Sequence, residues 1–324
     1  MALRSDDCMK SFIRVVELWI PDEARAVLEF GGGLYGEELH EFREISEHGL
    51  FAYDEGLPGK TWAAGHPVIM TEFVGTTSSF KRADEAKLFG LTCGVGIPVF
   101  AGGTLKAVMI LLCGSEARDY AGAIELWHNA ANRSHELTLV DGHYGSAGNL
   151  EFNSRHTSFP RGYGVPGRAW KADQPVIVTD LREGGPFLRA RDAAEIGIEC
   201  GLGIPFRGGD DETWVVSLLS AQDTPIAHRF EIWKPAAPQD ELTFETGYCD
   251  GKTDLDALFA SRGIRKEEGS IGKAWATGRP VISDDLKNDS CIAALAAIES
   301  GLTRTIVLPV FRGADLQAVI AWYL

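Results

Sequence analysis

What this sequence lacks narrows its function before any motif is read. It has no dense lysine and arginine cluster: 31 basic residues stand against 46 acidic ones, a formal charge of −15. Such a field repels phosphate backbones and anionic lipid, so neither nucleic acid nor membrane is an expected partner. No apolar run reaches the roughly 18 residues that a spanning helix needs, and Met1 to Lys10 does not have the layout of a signal peptide. A soluble, cytoplasmic chain is the expectation. Cysteine is sparse, six in all with no C-x-x-C, which reads as reduced thiols rather than a disulfide framework.

Two tempting chemical motifs are also incomplete. Gly59-Lys60-Thr61 resembles the end of a phosphate-binding loop, but Asp54 stands where that loop needs its first glycine. His135-Glu136 begins like a zinc-binding H-E-x-x-H, but Leu139 stands at the second histidine. His128, His135 and His143 are therefore read as exposed or locally bonded, and no metal site or cofactor is named by the sequence.

What is present is a repeat. Gly164-Val165-Pro166-Gly167-Arg168-Ala169-Trp170 has counterparts in Gly56 to Trp62 and Gly269 to Trp275, and its tryptophans lie 108 and 105 residues apart. Val16-Glu17-Leu18-Trp19 recurs as Ile124-Glu125-Leu126-Trp127 and Phe230-Glu231-Ile232-Trp233, and Gly96-Ile97-Pro98 as Gly203-Ile204-Pro205 and Val307-Leu308-Pro309. A period of that length is a domain rather than a solenoid unit. Three repeats follow, over 1–115, 116–221 and 222–324. At 45% hydrophobic and 24% charged residues, each can bury a core.

Each repeat is expected to open with a strand pair and close with a hairpin, such as Gly94 to Phe100 with Leu105 to Cys113. Between them lie a variable segment, helical in the first copy (Glu37 to Glu47) and the third (Leu255 to Arg262) but loop-like in the second (Asn149 to Gly164), and two short helices. The first starts near Pro58 or Pro166, with proline suited to its first position, and ends near the repeated tryptophan. The other spans about Lys81 to Phe89, Phe187 to Ile196 and Ile292 to Ser300, with a glycine stop at Gly90, Gly197 and Gly301.

Taken together, G-x-P-G-x-x-W, the following Pro-Val, an alanine-rich helix and G-I-P-V resemble the GAF domain. The resemblance covers nearly the whole chain in three tandem copies. It implies an α+β fold, with a central antiparallel sheet of about six strands and short helices on one face. It also implies a non-enzymatic sensory or regulatory module that binds a small molecule or a protein partner in signalling. No kinase, cyclase, phosphodiesterase or DNA-binding segment fits the chain, so no output domain of its own is expected. The ligand pocket implied for the second copy lies between sheet and helix, at Asp180, Phe187, Arg191 and Cys200. The cyclic-nucleotide and bilin signatures of the family are missing.

Two other readings stand beside this one. Free-methionine sulfoxide reductase is built on a GAF-like domain and works through cysteines, which makes Cys93 and Cys200 candidates for thiol chemistry, although no second thiol repeats to resolve a disulfide. A structural scaffold would instead have its pockets filled by side chains, with Trp62, Trp170 and Trp275 the candidates.

One departure from the family carries an architectural expectation. The helices that usually flank the GAF sheet, before the first strand and after the last, have no room here. The three repeats are therefore expected to pack about a pseudo-threefold axis and bury their bare sheet faces together. Glu17, Glu125, Glu231 and their tryptophans are expected on that shared face, as an amphipathic surface between domains. Exchange of a strand hairpin between repeats is the variant.

Overall fold

The computed structural model describes residues 11–71, 73, 81–114, 121–130, 134–179, 181, 189–209, 212–236, 240–251 and 253–324. In the first repeat β1 (Val15–Pro21) and β2 (Val27–Tyr35) are followed by α1 (His40–Glu47), β3 (Leu50–Ala52), α2 (Gly56–Ala64), β4 (Val68–Met70), α3 (Ala83–Leu88), β5 (Leu91–Ala101) and β6 (Thr104–Gly114). The second repeats this as β7 (Ala121–Asn129), β8 (Glu136–Gly145), α4 (Gly148–Arg155), β9 (Ser158–Pro160), α5 (Gly164–Ala172), β10 (Val176–Val178), α6 (Ala190–Glu195), β11 (Ile198–Arg207) and β12 (Thr213–Ala221). The third runs β13 (Arg229–Ala236), β14 (Glu241–Cys249), α7 (Leu255–Phe259), β15 (Gly263–Arg265), α8 (Gly269–Thr277), β16 (Val281–Ser283), α9 (Ile292–Glu299), β17 (Thr305–Arg312) and β18 (Asp315–Tyr323).

Each repeat forms one six-stranded antiparallel sheet in the order β3-β2-β1-β6-β5-β4, and the other two match it strand for strand. First and last long strands are neighbours at the centre, as in the GAF fold, so these are three tandem GAF-like α+β domains. Every sheet draws all six strands from its own repeat, and the exchanged hairpin is not what the chain adopts. The closing hairpin of the first repeat turns through Gly102 and Gly103, at φ 60° and 77°, where only glycine is unstrained at both positions of such a turn. The second repeat corrects one expectation: its variable segment contains a helix, α4, and the short strand β9. Polar Asn149 and Asn153 obscure the pattern, but Leu150 and Ser154 fall one turn apart on its buried side.

The two faces of each sheet have different covers. Val15, Trp19, Val108, Ile110 and Leu112 lie under the first repeat's own helices, together with Leu39, Phe42, Phe51 and Leu57. Their strand neighbours Val16, Leu18, Met109 and Leu111 point the other way, into one core shared with Leu126, Leu202 and Ile204 of the second repeat and Ile232, Ile306, Leu308 and Ile320 of the third. Strands covered on both faces explain the apolar runs without alternation. Because the side-chain period of a strand is two, the residues between these carry the opposite assignment: Glu17 and Trp19 are on the helix side, not at the interface between domains.

Contacts between the repeats run in one rotational sense. Thr71, just past β4, donates to Asp141 of β8 at 2.9 Å; β10 packs on β14; β16 packs on β2. Each is the outermost strand of one repeat, or the residue after it, meeting the second strand of the next. The ring closes from the third repeat back to the first, which is pseudo-threefold packing. The segments that enter the repeats also cluster. Ser11 donates to the carbonyl of Pro225, and Thr224 exchanges hydrogen bonds with the backbone of Ala121.

Candidate functional site

The repeated helix-start motif resolves into backbone packing. Gly56, Gly164 and Gly269 have φ near 60° (60°, 60° and 58°). A Cβ on Gly59, Gly167 or Gly272 would stand 2.0, 2.3 or 2.2 Å from the carbonyl oxygen of Ala52, Pro160 or Arg265. The motif glycines thus let the helix start lie against the third strand of its repeat. Pro58 and Pro166 sit at the third helical position rather than the first, still within the turn whose N–H groups have no partner inside the helix. Thr61 is buried and donates to the carbonyl of Leu57, as expected for a helix and not for a phosphate loop.

Polar chemistry instead converges beneath the helices. Glu17 is fully buried on β1. Its Oε1 accepts from Ser46 at 2.8 Å, Tyr35 at 2.9 Å and Arg82 Nη1 at 2.8 Å, while its Oε2 accepts from Trp19 Nε1 at 2.9 Å and Arg82 Nη2 at 2.8 Å. The Arg82 guanidinium lies over the rings of Trp19, Phe42 and Phe51 at 5.4, 4.9 and 5.7 Å. Burial pushes the Glu17 carboxyl up, but the Arg82 charge and the donors outweigh it and hold the group below its ordinary value.

The second repeat rebuilds the same set: Glu125 accepts from Trp127 Nε1 at 3.0 Å, Ser154 at 3.1 Å and both Nη atoms of Arg189. In the third, Trp233 Nε1 donates to Glu231 at 2.8 Å, but the ion-pair partner is Arg229 on the same strand. Burial raises the Glu231 carboxyl above its ordinary value, and Arg229 only partly offsets that. The signal for these sites was in the sequence: Ser46 and Ser154 lie 108 residues apart, Arg82 and Arg189 lie 107 apart, close to the repeat period.

Of the four expected pocket residues of the second repeat, Arg191 and Cys200 are described, and these two lie apart. Asp180 and Phe187 lie outside the described residues. Arg191 is 90% exposed on α6 and pairs with Glu195 at 3.1 Å. Cys200 is buried in the shared core, on the opposite side of the sheet from the helices. Cys93 is there too, facing its cross-strand partner Cys113, and burial pushes all three thiols up, away from the reactive thiolate. The interior is filled by Trp19, Trp127 and Trp233, whereas Trp62, Trp170 and Trp275 are half-buried at the outer surface.

The three histidines do not meet either, and no cluster of metal-ligating side chains occurs among the described residues. His128 stacks on Trp214, whose other face carries His66 of the first repeat at 3.8 Å. His143 lies beside Phe12 with Nε2 3.1 Å from the carbonyl oxygen of Gly114, and burial lowers its pKa; His135 is exposed. Among the described residues no helix is long and apolar enough to cross a membrane.

No protein-family model and no curated protein matches the sequence. Solved structures similar to part of the chain include a free methionine-R-sulfoxide reductase from Neisseria meningitidis in complex with its substrate, at 21% identity and a TM-score of 0.24 over 30% of this chain and 52% of that one. Another is the GAF domain of an Acinetobacter phosphoenolpyruvate-protein phosphotransferase, at 16% identity and a TM-score of 0.24 over 32% of this chain and 55% of that one. The A. aeolicus nlh2 GAF domain is similar at 21% identity and a TM-score of 0.24, over 31% and 58%. The chain thus spans little more than half of each. The GAF-like assignment stands on strand order and motif.

Proposed function

We propose that this chain is a non-enzymatic regulatory module of GAF type, whose three repeats act as one body in recognising a small molecule or a protein partner in signalling. The observation that carries this reading is the use made of the space beneath the helices. In the first two repeats the buried carboxylate is saturated by an arginine, a serine and an indole, so neither Glu17 nor Glu125 is free to exchange a proton with a substrate. The buried thiols, protonated and facing the shared core, speak against the reductase reading. For a small molecule, Asp180 and Phe187 in the second repeat are the proposed contacts.

Native mass spectrometry of the purified chain, followed by a free-methionine sulfoxide turnover assay on wild type and Cys200→Ser, tests the reading. The expected result is no turnover by either protein, whether or not a small molecule copurifies. Turnover by wild type that disappears in Cys200→Ser would overturn it.

A further inference from the structure

At one end of the third repeat an open cleft of about 620 Å³ runs between the end of α8 and the tip of the β17–β18 hairpin. Its floor is Trp275, Phe311 and Leu316, all half-buried, and Pro235 forms one wall. Glu267 and Asp315 stand exposed on the rim. Lys266 is there as well, but its ammonium is engaged: it lies 4.7 Å from the centre of the Trp275 ring and 3.6 Å from Asp240. The charge left to face an occupant is therefore acidic.

The counterparts of these side chains are arranged differently in the other repeats. In the second, Lys171 replaces Ala276, its stem runs across Gly162, and Arg161 lies over Trp170 at 5.8 Å. In the first, Arg25 reaches across to the carbonyl of Leu105, the counterpart of Leu316, at 3.2 Å, and Tyr53 stands edge-on to Trp62 at 5.2 Å. Lys266 holds over Trp275 the place that Arg161 holds over Trp170, so what sets the third repeat apart among the described residues is the small, exposed Ala276 in place of Lys171, with Glu267 and Asp315 exposed beside it.

We propose that this cleft docks an extended, basic, proline-bearing segment of a partner protein. The choice deepens the regulatory reading above and rests on it. Small-molecule sites enclose most of their ligand, and walls as exposed as Pro235, Ala276 and Ala314 cannot. A chain lying along the groove needs no enclosure. Half-buried aromatic rings accept the flat, preordered surface of a proline-containing extended peptide, and rim carboxylates take its arginines. The overall charge of −15 steers a basic segment towards the molecule and opposes docking of a second copy of this acidic chain.

Fluorescence anisotropy on the full chain tests this, using a fluorescein-labelled peptide of alternating proline, leucine and arginine and a counterpart with glutamate in place of arginine. The arginine peptide is expected to bind saturably and the glutamate peptide about tenfold more weakly or not at all. Ala276→Lys, which imitates the second repeat at an exposed position, should weaken binding about tenfold without changing thermal unfolding, and Glu267→Gln with Asp315→Asn should reduce both affinity and its salt dependence. Trp62→Ala should bind as wild type does. Absence of saturable binding by wild type, or wild-type affinity in Ala276→Lys, overturns the docking proposal. Neither result produces thiol-dependent turnover, so failure here is distinguishable from failure of the regulatory reading.

Discussion

The first and third repeats share a fold yet solve two packing problems in opposite ways. In the first, Gly94 and Gly96 leave room on the sheet for Leu57 and Thr61 of α2; a Cβ on Gly96 would stand 1.9 Å from the Thr61 hydroxyl. In the third, Thr305 and Val307 take the glycine positions, and the helix above carries Ser270 and Ala274. Bulk has moved from helix to strand. The positive charge has moved the same way: Arg82 precedes α3, whereas Arg229 lies on β13, and the helix position eight residues before the glycine stop is Ala293. The fold constrains the summed volume and the charge balance of the layer between sheet and helices, and leaves open which element supplies them.

The largest expected effect comes from removing the arginines. Arg82→Ala leaves Glu17 buried without its counter-charge and should cost about 3–5 kcal/mol in urea unfolding. Arg229→Ala should cost less, because Glu231 is already shifted towards its protonated form and can discharge. Moving the charge back, as Arg229→Ala with Ala293→Arg, should recover part of that loss. Acid sharpens the contrast. Glu17 has a lowered pKa, so its contribution is present above its unfolded value and lost as pH falls through the folded one. Glu231 has a raised pKa, so stability is lost as pH rises through it. Replacing Glu17 with Gln should flatten the fall in stability on acidification, and Glu231→Gln should steepen it. Equal slopes for the two variants would refute the assignment.

Next in size is the exchange of bulk. Gly96→Ala drives a methyl group into Thr61 and should cost on the order of 1–3 kcal/mol, the range for an overpacked core. Thr61→Ala in the same chain should return part of it by imitating Ala274. Urea midpoints of the two single variants and the double variant decide the point: additive losses would mean that the clash is not between these two side chains.

How much of this was legible in the sequence depends on the periodicity involved. The repeat of 108 and 105 residues located the strands, the helices and the glycine stops, because each rests on local signals that occur three times. The face of the sheet was misassigned. Alternation places Glu17 with Trp19, but both faces of β1 are apolar, so alternation alone does not say which one the helices cover. The interior sites were missed for a related reason: the carboxylate lies on the opening strand, whereas Ser46 and Arg82 lie 29 and 65 residues further on, and only their recurrence at the repeat period connects them. The candidate pocket, implied by the resemblance, sets Cys200 with Arg191 between sheet and helix, whereas Cys200 faces the shared core on the other side of the sheet.

The smallest expected effect is at the surface, where the repeated tryptophan meets a different partner in each copy. Equivalent positions hold Tyr53, Arg161 and Lys266 against Trp62, Trp170 and Trp275. An exposed cation over an indole is worth about 0.5–1 kcal/mol, so double-mutant cycles of Arg161 with Trp170 and of Lys266 with Trp275, each replaced by alanine, should return coupling of that size. Lys266 should show the smaller coupling, since Asp240 competes for its ammonium and an ammonium holds more of its hydration than a guanidinium does. Raising the salt concentration should weaken the Asp240 contact first and bring the two cycles closer together. A Lys266 coupling that fails to rise towards the Arg161 value as salt is added would mean that Asp240 does not compete with the ring for the ammonium.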